Sequence, residues 1–334
     1  MRILVLGGTV FLSRAVALRA LERGNDVTCV ARGVSGSPPE GVQFVRVDRA
    51  DPDGLEPLHD ERFDAVVDVT TQAVTQVRSA LRALGAHVPH WTYVSSRSVY
   101  ADESTPGQRA TTSPRLNAAP IDANESDPSN YGGLKVAAED AVLAAVEERA
   151  FIVRPGLVVG YGDRSDRYGY WPARMSLGGA IVCPGDPQAM VQLIDVEDLA
   201  AWIVMAAEER IVGTFDATCA PTPMGEVLAR TASACSDSTD LVWLDNEFLL
   251  AHAVEPWAGP RSLPLWAPGA EYAGFGSHDV TPALEAGLTI RAMEATAQAS
   301  LEWERQLGLD RQRVAGLSRD DERALLAAAQ TTPR

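Results

Sequence analysis

The first thirty residues restrict the fold most. Ile3-Leu4-Val5-Leu6 is a wholly apolar run, Gly7-Gly8 breaks it, and residues 12–23 carry an amphipathic helical pattern closed by Gly24. Val27-Thr28-Cys29-Val30 then forms a second apolar run. A strand that is apolar on both faces belongs inside a parallel sheet covered on both sides. Strand, glycine turn, helix and strand in this order open a dinucleotide-binding unit. Its helix N-terminus turns free N–H groups and the positive end of its dipole toward a pyrophosphate.

The pattern continues. Residues 42–48 read as a third strand ending in Asp48, 63–70 as a fourth, 72–86 as a helix and 91–96 as a fifth strand. Strands alternating with helices at this spacing give an α/β fold, a doubly wound Rossmann-type parallel sheet with its ligands at the carboxyl edge. A smaller C-terminal substrate-binding region is expected beside it. The expected division is 1–160 for the dinucleotide-binding part, with 191–220 returning to it. Residues 161–190 and 221–300 form the substrate-binding region, and 301–334 the C-terminal helices.

The glycine signal is incomplete. A full fingerprint has glycines at 7, 10 and 13, and this chain has Gly7, Val10 and Ser13. Val10 removes the glycine that allows the closest backbone approach to the phosphates, and Ser13 widens the helix–strand contact. The second strand ends in Ala31 and Arg32, where a chain specific for NAD carries an acid for the ribose 2′-hydroxyl. A neutral and a cationic residue there favour a 2′-phosphate, hence NADP(H) with NAD as the alternative, and Arg14 is a second nearby cation. Asp48 is placed to accept from an adenine amino group or to cap the following turn.

A second constellation lies downstream. Of 29 basic residues only Lys135 is a lysine, and it stands four residues after Tyr131 in a run that reads as helix. Residues four apart share a helix face. Arginine, with its bulky planar guanidinium, cannot stand in for a compact ammonium beside a phenol and a ribose hydroxyl.

These residues, together with Gly7-Gly8-Thr9-Val10-Phe11-Leu12, Val94-Ser95-Ser96-Arg97-Ser98-Val99-Tyr100, Arg154-Pro155-Gly156 and the run 191–200, resemble the extended and atypical short-chain dehydrogenase/reductases, the NAD(P)-dependent epimerase/dehydratase group. The match runs over about residues 1–220. The resemblance implies that Tyr131 is the acid/base, Lys135 its pKa-lowering partner and a contact of the nicotinamide ribose, and Ser96 the hydroxyl that polarises the substrate carbonyl. It further implies that Gly7, Thr9, Val10, Phe11 and Leu12 hold the cofactor with Arg32 and Asp48, and that Pro155 and Gly156 lie near the nicotinamide. A homodimer through helices near 72–86 and 131–148 is expected on the same ground. The stretch from Ser96 to Tyr131 exceeds the family's usual spacing by roughly ten residues, all in a polar loop.

That loop, 101–130, is expected to be a lid over the active site. Tyr161, Tyr168, Tyr170 and Trp171, with Arg164, Arg167 and Arg174, are expected to form a stacking wall and anion contacts of a substrate pocket, or else a core cluster. Asn246 to Phe275 is expected to close the pocket from the other side. Near the carboxyl end, Ala292, Ala295, Ala299 and Trp303 are expected on one helix face. His252 and His278 read as surface or core histidines.

A net charge of -16 opposes nucleic acid and anionic membrane surfaces, which need a basic footprint. No apolar run approaches the ~18 residues that span a bilayer, and the first apolar run is too short for a signal peptide, so a cytoplasmic location is expected. Cys29, Cys183, Cys219 and Cys235 show neither metal-ligand nor disulfide spacing and are read as free thiols, with no metal site. The leading expectation is an NADP(H)-dependent oxidoreductase acting on a ketone or secondary alcohol of a small polar metabolite. The alternatives are a nucleotide-sugar epimerase or dehydratase, against which Arg97 and Ser98 replace the Asp-Glu pair of sugar dehydratases, and a non-catalytic dinucleotide-sensing or RNA-binding protein.

Overall fold

A computed structural model of the chain describes residues 1–51, 53–71 and 73–331. Seven parallel strands form the central sheet: β1 (Arg2–Leu6), β2 (Asp26–Ala31), β3 (Gln43–Arg46), β4 (Ala65–Asp68), β5 (Trp91–Val94), β6 (Ala150–Pro155) and a last strand, Gly213–Ala217. The last strand, β6, β5, β4, β1, β2 and β3 lie side by side in that order. The chain order reverses between β1 and β4, and that switch point is where open α/β sheets bind ligands.

Alternation along β1 sends Ile3 and Val5 into one core and Leu4 and Leu6 into the other. Both faces of the sheet are covered, so the apolar run has no polar alternate. Helix α1 (Phe11–Glu22) and the helix Val196–Glu209 pack together on the first face. Helices α2 (Val74–Leu84) and α3 (Tyr131–Val146) pack together on the second. Gly24, at φ +80°, ends α1 in the left-handed region that glycine enters freely. The predicted helix over 72–86 begins with Gln72, which lies outside the described residues, and the visible helix ends two residues earlier than predicted.

A third core holds Tyr168, Tyr170, Trp171, Met175, Met224, Leu228, Leu249 and Trp266. Tyr168, Tyr170 and Trp171 are therefore core residues and not a stacking wall. Arg174, expected at a pocket, is buried and joined to Glu322 at 2.6 Å, and Arg164 donates to the Ser35 carbonyl at 3.2 Å. The helix Met293–Leu307 buries Thr296, Ala297, Ser300, Leu301 and Glu304, so the expected face through Ala292 and Ala295 is turned outward. Spacing of small alanines could not fix that face, because alanine adds little apolar area to either side. The last three residues of the 301–334 segment lie outside the described residues. Among the described residues no helix is long and apolar enough to cross a membrane, and no group of His, Cys, Asp and Glu is arranged to hold a metal.

Candidate functional site

The turn from β1 into α1 is held by close approach. Gly7 (φ +138°) and Gly8 (φ +95°) adopt backbone conformations that L side chains avoid. A Cβ on Gly8 would come within 2.3 Å of Cys29 Sγ. Ser13 takes the third fingerprint position and turns its hydroxyl back to the Val10 carbonyl at 2.8 Å. Val10 gives α1 no side-chain cap. The amino end of the helix therefore opens onto two cavities that both touch Val10, Ser13, Val69 and Thr71. An uncapped helix end between two lobes fits the pyrophosphate of a dinucleotide, with a half of the molecule on either side.

The smaller cavity, about 360 Å³, is lined by Gly7, Thr9, Val10, Arg32 and Asp48. Arg32 is exposed and has no acidic partner among the described residues. Asp48 caps the following turn, its carboxylate accepting from the Ala50 N–H at 3.0 Å. Arg14, expected as a second cation here, does not line the cavity. Arg49 does. Its guanidinium pairs with the fully buried Asp68 at 3.3 Å and also reaches Thr70, so it ties the end of β3 to the end of β4.

The larger cavity, about 660 Å³, is lined by Val10, Phe11, Leu12, Ser96, Tyr131, Lys135, Pro155 and Gly156. Ser96 follows β5 and caps a short turn, Arg97–Val99, by accepting from the Ser98 N–H at 3.1 Å. Tyr131 starts α3 and lines the same cavity, close enough for the Ser96 hydroxyl to act on its phenol, while the Ser96 Oγ–H donates to Ser98 Oγ at 3.1 Å. What brings them together is Gly132, where a Cβ would meet the Ser98 carbonyl oxygen at 2.3 Å. Any larger residue would lift α3 off the turn. The predicted catalytic and cofactor-binding residues other than Arg14 thus line one cavity or the other, and Ser96 and Tyr131 share the larger one.

Burial raises the Tyr131 phenol above its ordinary value, and two groups oppose the rise: the nearby Ser96 hydroxyl and the charge on Arg167. Lys135 was expected to be the lowering partner and is not one of these groups. Its ammonium is almost wholly buried. It donates to the carbonyls of Thr70 and Val94 at 2.8 Å each and to the Tyr93 hydroxyl at 3.3 Å, and it lies 6.0 Å from the Tyr131 ring centre. Burial lowers its own pKa to about 7, against the raising charges of Asp68 and Glu139. The opposing cation, Arg167, comes from a segment the sequence offered only as one of three arginines.

Beneath the site runs a buried ionic cluster. Arg154 grips both Glu139 oxygens at 2.8 and 2.7 Å, tying β6 to α3 one turn beyond Lys135. It also donates to Tyr100, whose hydroxyl donates to Asp216 at 2.6 Å. His278, a core histidine, completes the cluster at 3.0 Å from Asp216.

The family model described as NAD dependent epimerase/dehydratase family matches residues 3–215. The chain belongs to that family. Within it, the chain is 32% identical over 248 residues to the 2'-dehydrokanamycin reductase of Streptomyces kanamyceticus, over 70% of this chain and 66% of that protein. It is 33% identical over 186 residues to the dTDP-6-deoxy-L-talose 4-dehydrogenase (NAD(P)(+)) of Kitasatospora kifunensis, over 48% of this chain and 54% of that protein. The matched parts span less than two thirds of the length of these relatives. Among solved structures, a putative epimerase from Burkholderia cenocepacia J2315 superimposes with a TM-score of 0.65 at 20% identity, over 91% of this chain and 98% of the other. The Bordetella bronchiseptica enzyme WbmH in complex with NAD+ gives 0.65 at 17%, over 92% and 99%. At these identities the likeness is one of fold.

As a member of the NAD dependent epimerase/dehydratase family, the chain departs from expectation on the substrate side. None of residues 101–130 lines the larger cavity, so the polar loop is not its lid. It is strapped instead to 274–279, through Gly274 N–H to Glu103, Gly107 N–H to Ser277 and Asp279 N–H to Gln108, at 2.8, 2.7 and 2.9 Å. The wall of the cavity is made by Trp257 and Phe275, in edge contact at 5.1 Å, with Arg167 over Trp257 at 5.9 Å. Trp257 and Phe275 belong to the stretch expected to close the pocket from the far side. Gln192 and Arg97 went unrecognised as wall residues, whereas Arg167 is the one of the three expected arginines that lines the cavity.

Proposed function

We propose that the chain is an NADP(H)-dependent oxidoreductase that moves a hydride between the cofactor and a ketone or secondary alcohol of a small polar metabolite. The observation that carries this reading is that Ser96 and Tyr131 face one cavity, which continues past Pro155 and Gly156 to the uncapped end of α1. When bound, NADP(H) supplies the hydride. In the reductive direction Tyr131 gives its proton to the substrate's carbonyl oxygen, and Ser96 donates a hydrogen bond to the same oxygen. The charge of Arg167 favours the phenolate that results. Lys135, Pro155 and Gly156 hold the nicotinamide half. Gly7, Thr9, Val10, Phe11 and Leu12 hold the pyrophosphate, and Asp48 and Arg32 the adenosine half, Arg32 on a 2′-phosphate.

The reading takes residues 1–160 and 191–220 as the cofactor-binding part, and 161–190 with 221–300 as the substrate region. It includes a homodimer through α2 and α3 and a cytoplasmic location. The names of the two relatives, a reductase and a 4-dehydrogenase, support a sugar-like hydroxylated substrate. An epimerase is the second reading. It is favoured by an adjoining cavity of about 300 Å³ that shares Gln192, Trp257 and Phe275 with the first, which leaves room for a second substrate moiety. Incubation with NADPH and a panel of hydroxylated ketones separates the two. The reductase oxidises NADPH in step with product, whereas an epimerase interconverts isomers with no net cofactor change. A chain that binds neither cofactor contradicts both.

A further inference from the structure

Nothing in the hydride chemistry uses Arg97, yet this residue follows Ser96 directly and lines the same cavity. It is 7% exposed. Its Nη1 donates to Gln192 Oε1 at 3.0 Å, while Nε and Nη2 are buried with no partner. Gln192 cannot neutralise the charge. It is a neutral amide locked by its own bonds to the carbonyls of Cys219 and His278, at 2.9 Å each. The cavity lining contains Arg97, Lys135 and Arg167 and no carboxylate among the described residues. Asp216, the foremost acid acting on Arg97, already meets the Tyr100 hydroxyl and the His278 ring with its two oxygens. Glu103 acts on Arg97 only through space.

Burying an unpaired cation is costly, and burying unsatisfied N–H donors adds to the cost. The two idle nitrogens identify what would offset that cost. Nε–H and Nη2–H form the side edge of a guanidinium, two parallel donors matched to two oxygens on one centre. This protein uses that edge elsewhere: Arg154 holds Glu139 by it at 2.8 and 2.7 Å, and Arg230 holds Glu294 at 2.8 and 2.9 Å. At Arg97 the same edge has no carboxylate. Phe275 lies 5.4 Å over the guanidinium, so an incoming group must turn that ring aside.

We propose that Arg97 binds a carboxylate carried by the substrate, side-on through Nε–H and Nη2–H, and so selects an acid sugar or hydroxy acid over its neutral counterpart. This inference rests on the oxidoreductase reading of the cavity but is tested by equilibrium binding, apart from turnover. The full-length chain loaded with NADP+ is titrated calorimetrically with D-glucuronate against D-glucose, and with D-galacturonate against D-galactose. D-glucose 6-phosphate serves as the phosphate arm. The expected result is a preference of about tenfold or more for each carboxylate over its neutral partner, with the phosphate ester weaker than the carboxylate. Arg97→Gln removes the preference while NADP+ affinity is kept, and Arg97→Lys restores only part of it, having charge without the fork. Equal affinity within the pairs, no binding of either carboxylate, or a preference that survives Arg97→Gln overturns the assignment, and so does tighter binding of the phosphate ester. The wild-type pairs decide the matter even if a variant fails to fold. Failure of the hydride-transfer reading would appear separately, as ketone-independent NADPH levels.

Discussion

Lys135 shows how far a residue's surroundings can depart from its expected role. In the folded chain its pKa is about 7, lowered from 10.5 by burial. Between those values the unfolded chain holds a proton that the folded chain has lost, so this residue's contribution to stability rises with pH across that window. Below about pH 7 both states are protonated, and the full penalty of the buried charge is present. Wild type should therefore gain on Lys135→Met as pH is raised from about 7 to 10, by up to about 1.4 kcal/mol per pH unit. Denaturant titrations of the two apo proteins at several pH values measure it, and parallel curves would refute it. Arg32 carries a second prediction at this scale. Arg32→Glu should weaken NADPH binding by about tenfold or more, roughly 1.4 kcal/mol, and leave NADH binding little changed, as read by fluorescence titration. Equal losses for both cofactors would remove Arg32 from the 2′-phosphate. The Tyr131–Lys135 spacing, the serine pair after β5 and the end of β2 were all legible because each is local in sequence. Arg97 and Gln192 were not legible as cavity residues, since nothing local distinguishes a pocket side chain from a solvated one.

The element that sets the site is α3, and two contacts fix it. At its start, Gly132 lets it touch the Arg97–Val99 turn. One turn beyond Lys135, the Arg154–Glu139 fork ties it to β6. Breaking a buried ion pair on one side leaves the other charge stranded. Arg154→Ala should lower unfolding free energy by about 3 kcal/mol, even though Arg115 still reaches Glu139 at 3.0 Å. Replacing both partners by apolar residues of similar size, Arg154→Met with Glu139→Leu, should recover most of the loss. Chemical denaturation of the single and double variants decides between this and a surface-like pair, which would cost under about 1 kcal/mol. The elements of the sheet were readable from apolar runs and glycine stops, because a strand buried on both faces leaves a strong local signal. The helix Met293–Leu307 was legible as a helix, but not the face it buries, since its small residues hardly distinguish its sides.

On the scale of the whole molecule, a chain of net charge -16 surrounds a cavity whose charged lining residues, among those described, are all cations. The contrast favours an anionic cofactor and substrate inside while the exterior stays acidic. The α/β class of the fold follows from strands alternating with helices, each crossover right-handed. The substrate side does not follow, because Gln192, Trp257 and Phe275 reach one wall from segments far apart in sequence and carry no repeating pattern. The central claim is that the Ser96–Tyr131 pair handles the proton while hydride moves. The most direct test is turnover of wild type and Tyr131→Phe with NADPH and a ketone substrate, alongside NADPH affinity for each. The expected result is a fall in turnover of about a hundredfold or more with NADPH affinity essentially kept. Undiminished turnover in Tyr131→Phe contradicts it.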